Sequence, residues 1–382
     1  MVTSSSHTHL VPAETFAITY RLTGNRADAE EKATALSVEQ TIEFPADLVW
    51  VEEISRHIIA RVVQLREVAT DVFDADLVFS ADIAGTELTQ LLNVLFGNAS
   101  LLPGVRLQRF APGPGLLSRF RGPRHGVTGL RNLVQAPTRP LLCTALKPMG
   151  LTCIELADLA GKFALGGADF IKDDHGLADQ CFSPFLERVK RCSEAVERAN
   201  RTTGGRCLYL PNVTAPAGEV VERARAAKAA GAGGLLLAPG IVGFDAMRRL
   251  ADDDELALPI LNHPAFQGGF VVRPDHGIAH SVLFGQVARL AGADGSIFPN
   301  YGGRFSFSKE ECLDAAAGCR EPLGGLAPIL PVPAGGMKRA RLEEMVDFYG
   351  NDVMLLIGGD LHRHPAGLTA ACAELRQAIE LL

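Results

Sequence analysis

From Leu141 to Ile357 the chain repeats one pattern eight times: a short apolar run, then a small, polar or proline-containing loop, then an amphipathic stretch with helical spacing. The runs are Leu141–Leu146, Asp169–Lys172, Cys207–Pro211, Gly234–Leu237, Pro259–Asn262, Gly295–Phe298, Pro328–Pro331 and Val353–Ile357. Amphipathic stretches such as Thr152–Leu165, Pro184–Ala199, Ala217–Ala229 and Arg339–Phe348 lie between them. Strands of this kind, alternating with crossover helices, must be parallel and buried on both faces, and eight units over roughly 250 residues match a (β/α)8 TIM barrel. A doubly wound open sheet is the competing architecture, but no G-x-G-x-x-G follows an early strand.

The composition shifts near residue 125, because glycines are sparse in residues 1–95 and stand at nearly every element junction from Gly150 onward. The first region predicts a strand at Phe16–Leu22, a helix at Ala27–Val38 and a second helix over Ile54–Leu65. Strands follow near Glu67–Val72 and Leu77–Ala81, then a helix at Thr86–Phe96. That order suggests a smaller α+β domain, residues 1–125, with an antiparallel sheet and helices on one face, ahead of the barrel at 126–382.

Composition sets limits on function. With 382 residues, 47% of them hydrophobic, two packed cores are expected. A formal net charge of -7 argues against nucleic-acid binding, so an anionic ligand must meet a local site. Met1–Leu10 lacks the cationic and apolar stretches of a signal peptide, and no window approaches ~18 consecutive apolar residues, so neither export nor a membrane span is expected. Eight cysteines without metal-ligand spacing read as reduced core residues of a cytoplasmic protein.

In a TIM barrel the residues after each strand converge on one mouth. Here they are Lys147; Lys172-Asp173-Asp174-His175; Asn212; Asn262-His263; the segment ending in Arg304; Gly335-Gly336; and Gly358-Gly359-Asp360. The two glycine pairs either let backbone N–H groups approach a phosphate or simply make tight turns. Lys172, Asp174 and His175 can assemble a divalent-metal site, or form a solvated turn. Lys147 is either a partly desolvated amine able to act as a base or a surface lysine. His263 is a proton shuttle or a satisfied structural histidine. His362 and His364, lacking a matching carboxylate, read as solvent-facing or near phosphate.

Five ordered motifs carry a resemblance over nearly the whole chain: Val38-Glu-Gln-Thr41, Gly97-Asn98, Phe120-Arg-Gly-Pro-Arg-His-Gly126, Leu146-Lys-Pro-Met-Gly-Leu151 and Gly166-Gly-Ala-Asp-Phe-Ile-Lys-Asp-Asp174. Together they resemble the RuBisCO family, specifically its non-carboxylating RuBisCO-like branch. The resemblance implies a ferredoxin-like first domain, proton handling by Lys147, and a carbamylated Lys172 holding magnesium together with Asp174. It implies phosphate binding by Gly335, Gly336, Gly358 and Gly359, and substrate contact by His263. It also implies a homodimer in which Asn98, with Glu39 as its neighbour, completes a site at the subunit interface.

The departures from the family pattern remove carboxylation. Met149 stands for a second lysine, Pro264 for an arginine that grips a second phosphate, Ile297 for a histidine, Ala334 for a serine and His175 for a metal-binding glutamate, while Arg304 stands near the mobile-loop lysine. What remains supports metal-stabilised enolate chemistry on a singly phosphorylated 3-oxo sugar acid or ketose, by decarboxylation or carbon–carbon cleavage. The sparse aromatic residues near the mouth lean toward a sugar acid. The alternatives are a 5-methylthioribulose-1-phosphate isomerase, a methionine-salvage enolase, or a non-catalytic binding protein on the same fold.

Overall fold

A computed structural model describes residues 14–382; Met1–Leu10 lies outside the described residues. The chain forms two compact units. One holds the described residues up to Phe120 together with Gly269–Val282, and the other holds Arg121–Gly268 and Leu283–Leu382.

The first unit is built on strands Thr15–Thr23 (β1), Arg61–Ala69 (β2), Val72–Ser80 (β3) and Val105–Ala111 (β4), in the order β4-β1-β3-β2, all antiparallel. With helices Arg26–Glu39 and Leu88–Phe96 between them, this is the ferredoxin-like β-α-β-β-α-β arrangement. Period-two alternation fixes its face: Phe16, Ile18, Tyr20 and Leu22 of β1, and Phe73, Ala75, Leu77 and Phe79 of β3, are all buried. The first helix buries Ala29, Ala33 and Leu36. It starts at a capping box in which Asn25 accepts the Asp28 N–H and Asp28 accepts the Asn25 N–H.

Two local expectations change. The helix expected over Ile54–Leu65 stops at His57, and Arg61–Ala69 is a strand, because the β-branched Arg61-Val-Val run pairs along the edge of β3. The strand β4 carries no strong alternation in sequence and exists through its pairing with β1, which contains a bulge between Thr19 and Tyr20.

In the second unit all eight expected strands form: Leu141–Leu146 (β5), Phe170–Asp173 (β6), Leu208–Leu210 (β7), Leu235–Leu237 (β8), Ile260–Asn262 (β9), Gly295–Pro299 (β11), Leu330–Ala334 (β12) and Met354–Leu356 (β13). The two-residue strand Gly277–Ile278 (β10) belongs to the first unit, where it pairs in parallel with β4. Two four-stranded parallel sheets, β13-β5-β6-β7 and β8-β9-β11-β12, meet through an Asn212–Leu236 bridge on one side and through β12 beside β13 on the other. The result is the expected (β/α)8 barrel. Its interior is filled by Cys143, Phe170, Leu210, Leu236, Leu261, Ile297, Val332 and Leu356.

The end of the barrel away from the strand exits is closed by the helix Gly126–Val134, whose Val127, Leu130 and Val134 join that core. Asp294 anchors it. One carboxylate oxygen accepts the His125 and Gly126 N–H groups at 2.7 and 2.8 Å, and the other accepts Ile260 N–H at 2.9 Å. Gly126 is required there, since its φ of 56° is left-handed and a Cβ would lie 2.7 Å from the Pro328 carbonyl oxygen. Seven of the eight cysteines are buried and all are free. Among the described residues, no helix is long and apolar enough to cross a membrane.

Removing the Asp294 carboxylate leaves three buried N–H groups without an acceptor. Asp294→Ala is therefore expected to destabilise the barrel by about 3–9 kcal/mol, at roughly 1–3 kcal/mol per orphaned donor, read as a lower midpoint in urea denaturation; an unchanged midpoint would contradict this anchoring role.

Candidate active site

Strand alternation selects the side chains that reach the mouth. Counting by twos from the interior residues Phe170, Leu210 and Leu261, the next inward positions are Lys172, Asn212 and His263, and from Cys143 the count passes Ala145 to reach Lys147 just past the end of β5. The same count on the other strands gives Ala238, Pro299, Ala334 and Gly358. The mouth is thus polar around β5, β6, β7 and β9, and small or apolar elsewhere. Ile297 belongs to the interior, in register with Val332 of β12.

Asp173 has the opposite parity and points toward the helical layer. Fully buried there, it accepts Arg188 Nε–H at 3.1 Å, the Tyr209 hydroxyl at 2.7 Å and Asn212 N–H at 3.0 Å. Arg188 also donates to the Ser183 and Ala178 carbonyls, both at 2.7 Å. Asn212 Nδ2 donates to the His175 and Leu177 carbonyls at 2.9 and 2.8 Å. This network pins the loop that carries Asp174 and His175. The sequence motif alone does not separate Asp173 from Asp174; strand parity does.

Lys147, Lys172, Asp174, His175 and His263 form one cluster. The Asp174 carboxylate is ion-paired with the Lys147 ammonium, lies 2.9 Å from His175 Nδ1, and accepts Gly176 N–H at 3.2 Å. The His175 ring stacks on His263, with centroids 4.3 Å apart and planes 12° from parallel. Burial by itself would raise the Asp174 carboxyl, but the hydrogen bonds from His175 and Lys147 and the Lys147 charge outweigh it and hold the group well below the usual carboxylate range.

The desolvated amine is Lys172, not Lys147 as the sequence suggests. Lys147 is 39% exposed and ion-paired, whereas Lys172 is buried and its Nζ donates to the Asp173 carbonyl at 3.0 Å. Burial lowers the Lys172 pKa. Burial, with Lys172 and His175 nearby, also pushes the His263 imidazole down to about 2, so His263 is neutral. Its Nδ1 accepts Ala265 N–H at 3.1 Å, which places the ring proton on Nε2. His263 therefore presents a hydrogen-bond donor rather than a base. His175 Nδ1 lies 2.9 Å from the Asp174 carboxylate, so Nε2 is the ring nitrogen turned away from it.

The donors fit a divalent ion on one condition. Among the described residues no three His, Cys, Asp or Glu side chains are grouped to hold a metal, so a third donor beside Asp174 and His175 has to come from Lys172. An ammonium cannot ligate, but burial favours the neutral amine, which is the form that takes up carbon dioxide to give an oxygen-bearing carbamate.

The glycine corner is assembled across β11, β12 and β13. Gly335 and Gly336 have φ of 88° and 114°, and Arg304 N–H donates to the Gly335 carbonyl at 3.1 Å. Arg339 N–H donates to Asp360 at 2.9 Å, joining the loops that hold the two glycine pairs. Gly358 and Gly359 face open space. His362 is exposed as expected, with its ring edge-on to Phe163, whereas His364 is largely covered and paired with Glu374 at 3.1 Å.

Asn98 and Glu39 lie in the first unit, where Asn98 Nδ2 donates to Glu39 at 3.0 Å. Both line a cleft of about 400 Å³ together with Gln40, Thr41 and Asn93.

The low Lys172 pKa has a measurable sign. The folded state binds fewer protons than the unfolded chain, so stability rises with pH between the depressed folded value and the ordinary lysine value of about 10.4. In bicarbonate-free buffer, Lys172→Met is expected to raise the melting temperature at pH 7, with a smaller gain at pH 10. A gain that is the same at both pH values would exclude a buried neutral amine.

The catalytic domain of the ribulose bisphosphate carboxylase large chain matches residues 126–382. The 5-methylthioribulose-1-phosphate isomerase of Rhodospirillum rubrum is 41% identical over 344 residues, covering 90% of each chain. A 2,3-diketo-5-methylthiopentyl-1-phosphate enolase of Bacillus cereus is 32% identical over 350 residues, 90% of this chain and 82% of that one. The crystal structure of a RuBisCO-like protein from Rhodopseudomonas palustris superposes with a TM-score of 0.87 at 38% identity, covering 96% and 97% of the two chains. This chain belongs to the RuBisCO large-chain family, as one of its RuBisCO-like proteins.

Proposed function

We propose that this protein enolises a singly phosphorylated ketose, moving a proton between carbons next to the carbonyl as an isomerase or enolase, with 5-methylthioribulose 1-phosphate the first substrate to test. What carries this reading is the pairing of a proton-bearing amine, Lys147 on Asp174, with a neutral donor, His263, across one cluster. Relatives that act as an isomerase and an enolase on methylthio-pentose phosphates support it. They also favour proton transfer over the decarboxylation of a sugar acid that the sequence analysis put first.

In this mechanism the N–H groups of Gly335, Gly336, Gly358 and Gly359, with Arg304 nearby, bind the phosphate. Lys147, as the free amine, removes the proton at carbon to become the ammonium that pairs with Asp174 and then returns it, and His263 Nε2–H donates to the oxygen on which negative charge develops. Asp174, His175 and carbamylated Lys172 hold a divalent ion, magnesium in keeping with the family. When bound, it supplies electrostatic stabilisation of the enolate. Asn98, oriented by Glu39, completes the site from the partner subunit of a cytoplasmic homodimer.

Incubating the protein with 5-methylthioribulose 1-phosphate in D2O should give deuterium at the carbons next to the carbonyl together with product. Lys147→Ala should lower turnover by about 10²–10⁴-fold. No exchange and no conversion, with carbon dioxide released instead from a 3-oxo-aldonate phosphate, would restore the sugar-acid reading. Chelation with EDTA should abolish turnover, and Mg2+ with bicarbonate should restore it; full activity after chelation would remove the metal from the mechanism.

A further inference from the structure

Phe266 departs from what a soluble protein usually does with an aromatic side chain. It is 82% exposed, three residues after His263, and its backbone is held at φ 68°, a left-handed conformation that bulky side chains avoid. The turn that presents it is tightly fixed. Gln267 is fully buried, its N–H donates to the Pro264 carbonyl at 3.0 Å, and its side-chain amide donates to the His263 carbonyl at 3.2 Å. The neighbouring loop after β8 packs against the same turn, since a Cβ on Gly240 would lie 2.6 Å from the Ala265 carbonyl oxygen. That loop presents Ile241, itself 58% exposed. Two exposed apolar side chains thus come from adjoining strand exits beside His263. Neither Ala238–Gly243 nor Pro264–Gly268 contains a charged residue.

The position relative to the rest of the mouth gives this patch a meaning. The glycine pairs follow β12 and β13; around the barrel β12 lies two strands from β9, and β13 lies four strands from β8, directly across the mouth, with Lys147 and Lys172 at the exits of β5 and β6 on the arc beyond β13. A substrate whose phosphate sits at the glycines and whose reacting carbons lie at the cluster directs its other end toward β8 and β9. A carboxylate or second phosphate arriving there finds no counter-charge, whereas an alkyl or alkylthio group finds Phe266 and Ile241.

We propose that Phe266 and Ile241 form the specificity wall for the non-phosphorylated end of the substrate, and that this end is apolar. The assignment rests on the ketose-phosphate reading for its reacting substrates, but not for its binding probes.

The test compares 5-methylthioribulose 1-phosphate with ribulose 1-phosphate as substrates, and pentyl phosphate with 5-hydroxypentyl phosphate as unreactive ligands in calorimetry. Wild type, Phe266→Asn and Ile241→Ser are measured. Asparagine tolerates the left-handed turn, so the first variant removes the ring and keeps the loop. Wild type should favour the apolar member of each pair by about tenfold or more, and each variant should shrink that ratio severalfold. If neither ketose reacts while the alkyl phosphates follow the expected pattern, the wall stands and the proposed reaction falls. Turnover without preference for the methylthio compound, or failure to bind pentyl phosphate better than its hydroxyl analogue, overturns the wall. A changed oligomeric state in Phe266→Asn with discrimination intact would assign the patch to a contact between copies of the chain, and would also overturn it.

Discussion

The site depends on a charge pair that never meets substrate. Asp173 and Arg188 are fully buried against each other, and such a pair is tolerated only when every donor and acceptor is met. Here they are met: Tyr209 and Asn212 complete the carboxylate, and the Ser183 and Ala178 carbonyls complete the guanidinium. The bonds tie β6 and β7 to the helix Phe185–Thr203 and to the loop between them. Asp174 is the next residue after Asp173, so its direction into the mouth follows from the direction of Asp173 away from it. His175 is held by its carbonyl through Asn212, which leaves its ring free to stack on His263.

The cluster built on that support separates charge from neutrality over a few ångströms. Asp174 stays ionised because Lys147 and His175 face it, while Lys172 and His263 are pushed toward neutrality by burial. A neutral imidazole with its proton on Nε2 can polarise a carbonyl without first giving up a full charge, which suits enolate formation. A buried neutral amine is also the form that carbamate formation needs. The same desolvation therefore prepares both the hydrogen-bond donor and the candidate metal ligand.

Much of the architecture was legible because the sequence repeats it. All eight barrel strands lie where short apolar runs predicted them, since a strand buried on both faces has to be apolar throughout. The failures were local and had local causes. Arg61–Leu65 reads as the continuation of a helix until the edge of β3 is available for pairing. His364 reads as unpaired because Glu374, its partner, lies on the helix that follows rather than in its own loop.

The sequence by itself determined the order of elements, the barrel and the inventory of groups at its mouth, because periodicity and motif order are properties of the chain. Tertiary structure decided what each group does there. Asp173 and Asp174 are chemically identical neighbours, and only strand parity makes one a scaffold and the other a site residue. Lys147 and Lys172 are likewise equivalent in sequence, and only burial decides which amine is desolvated. The His263 proton is placed by a backbone N–H two residues away. Direction, burial and tautomer are set by packing against residues distant in the chain, and no local pattern contains them.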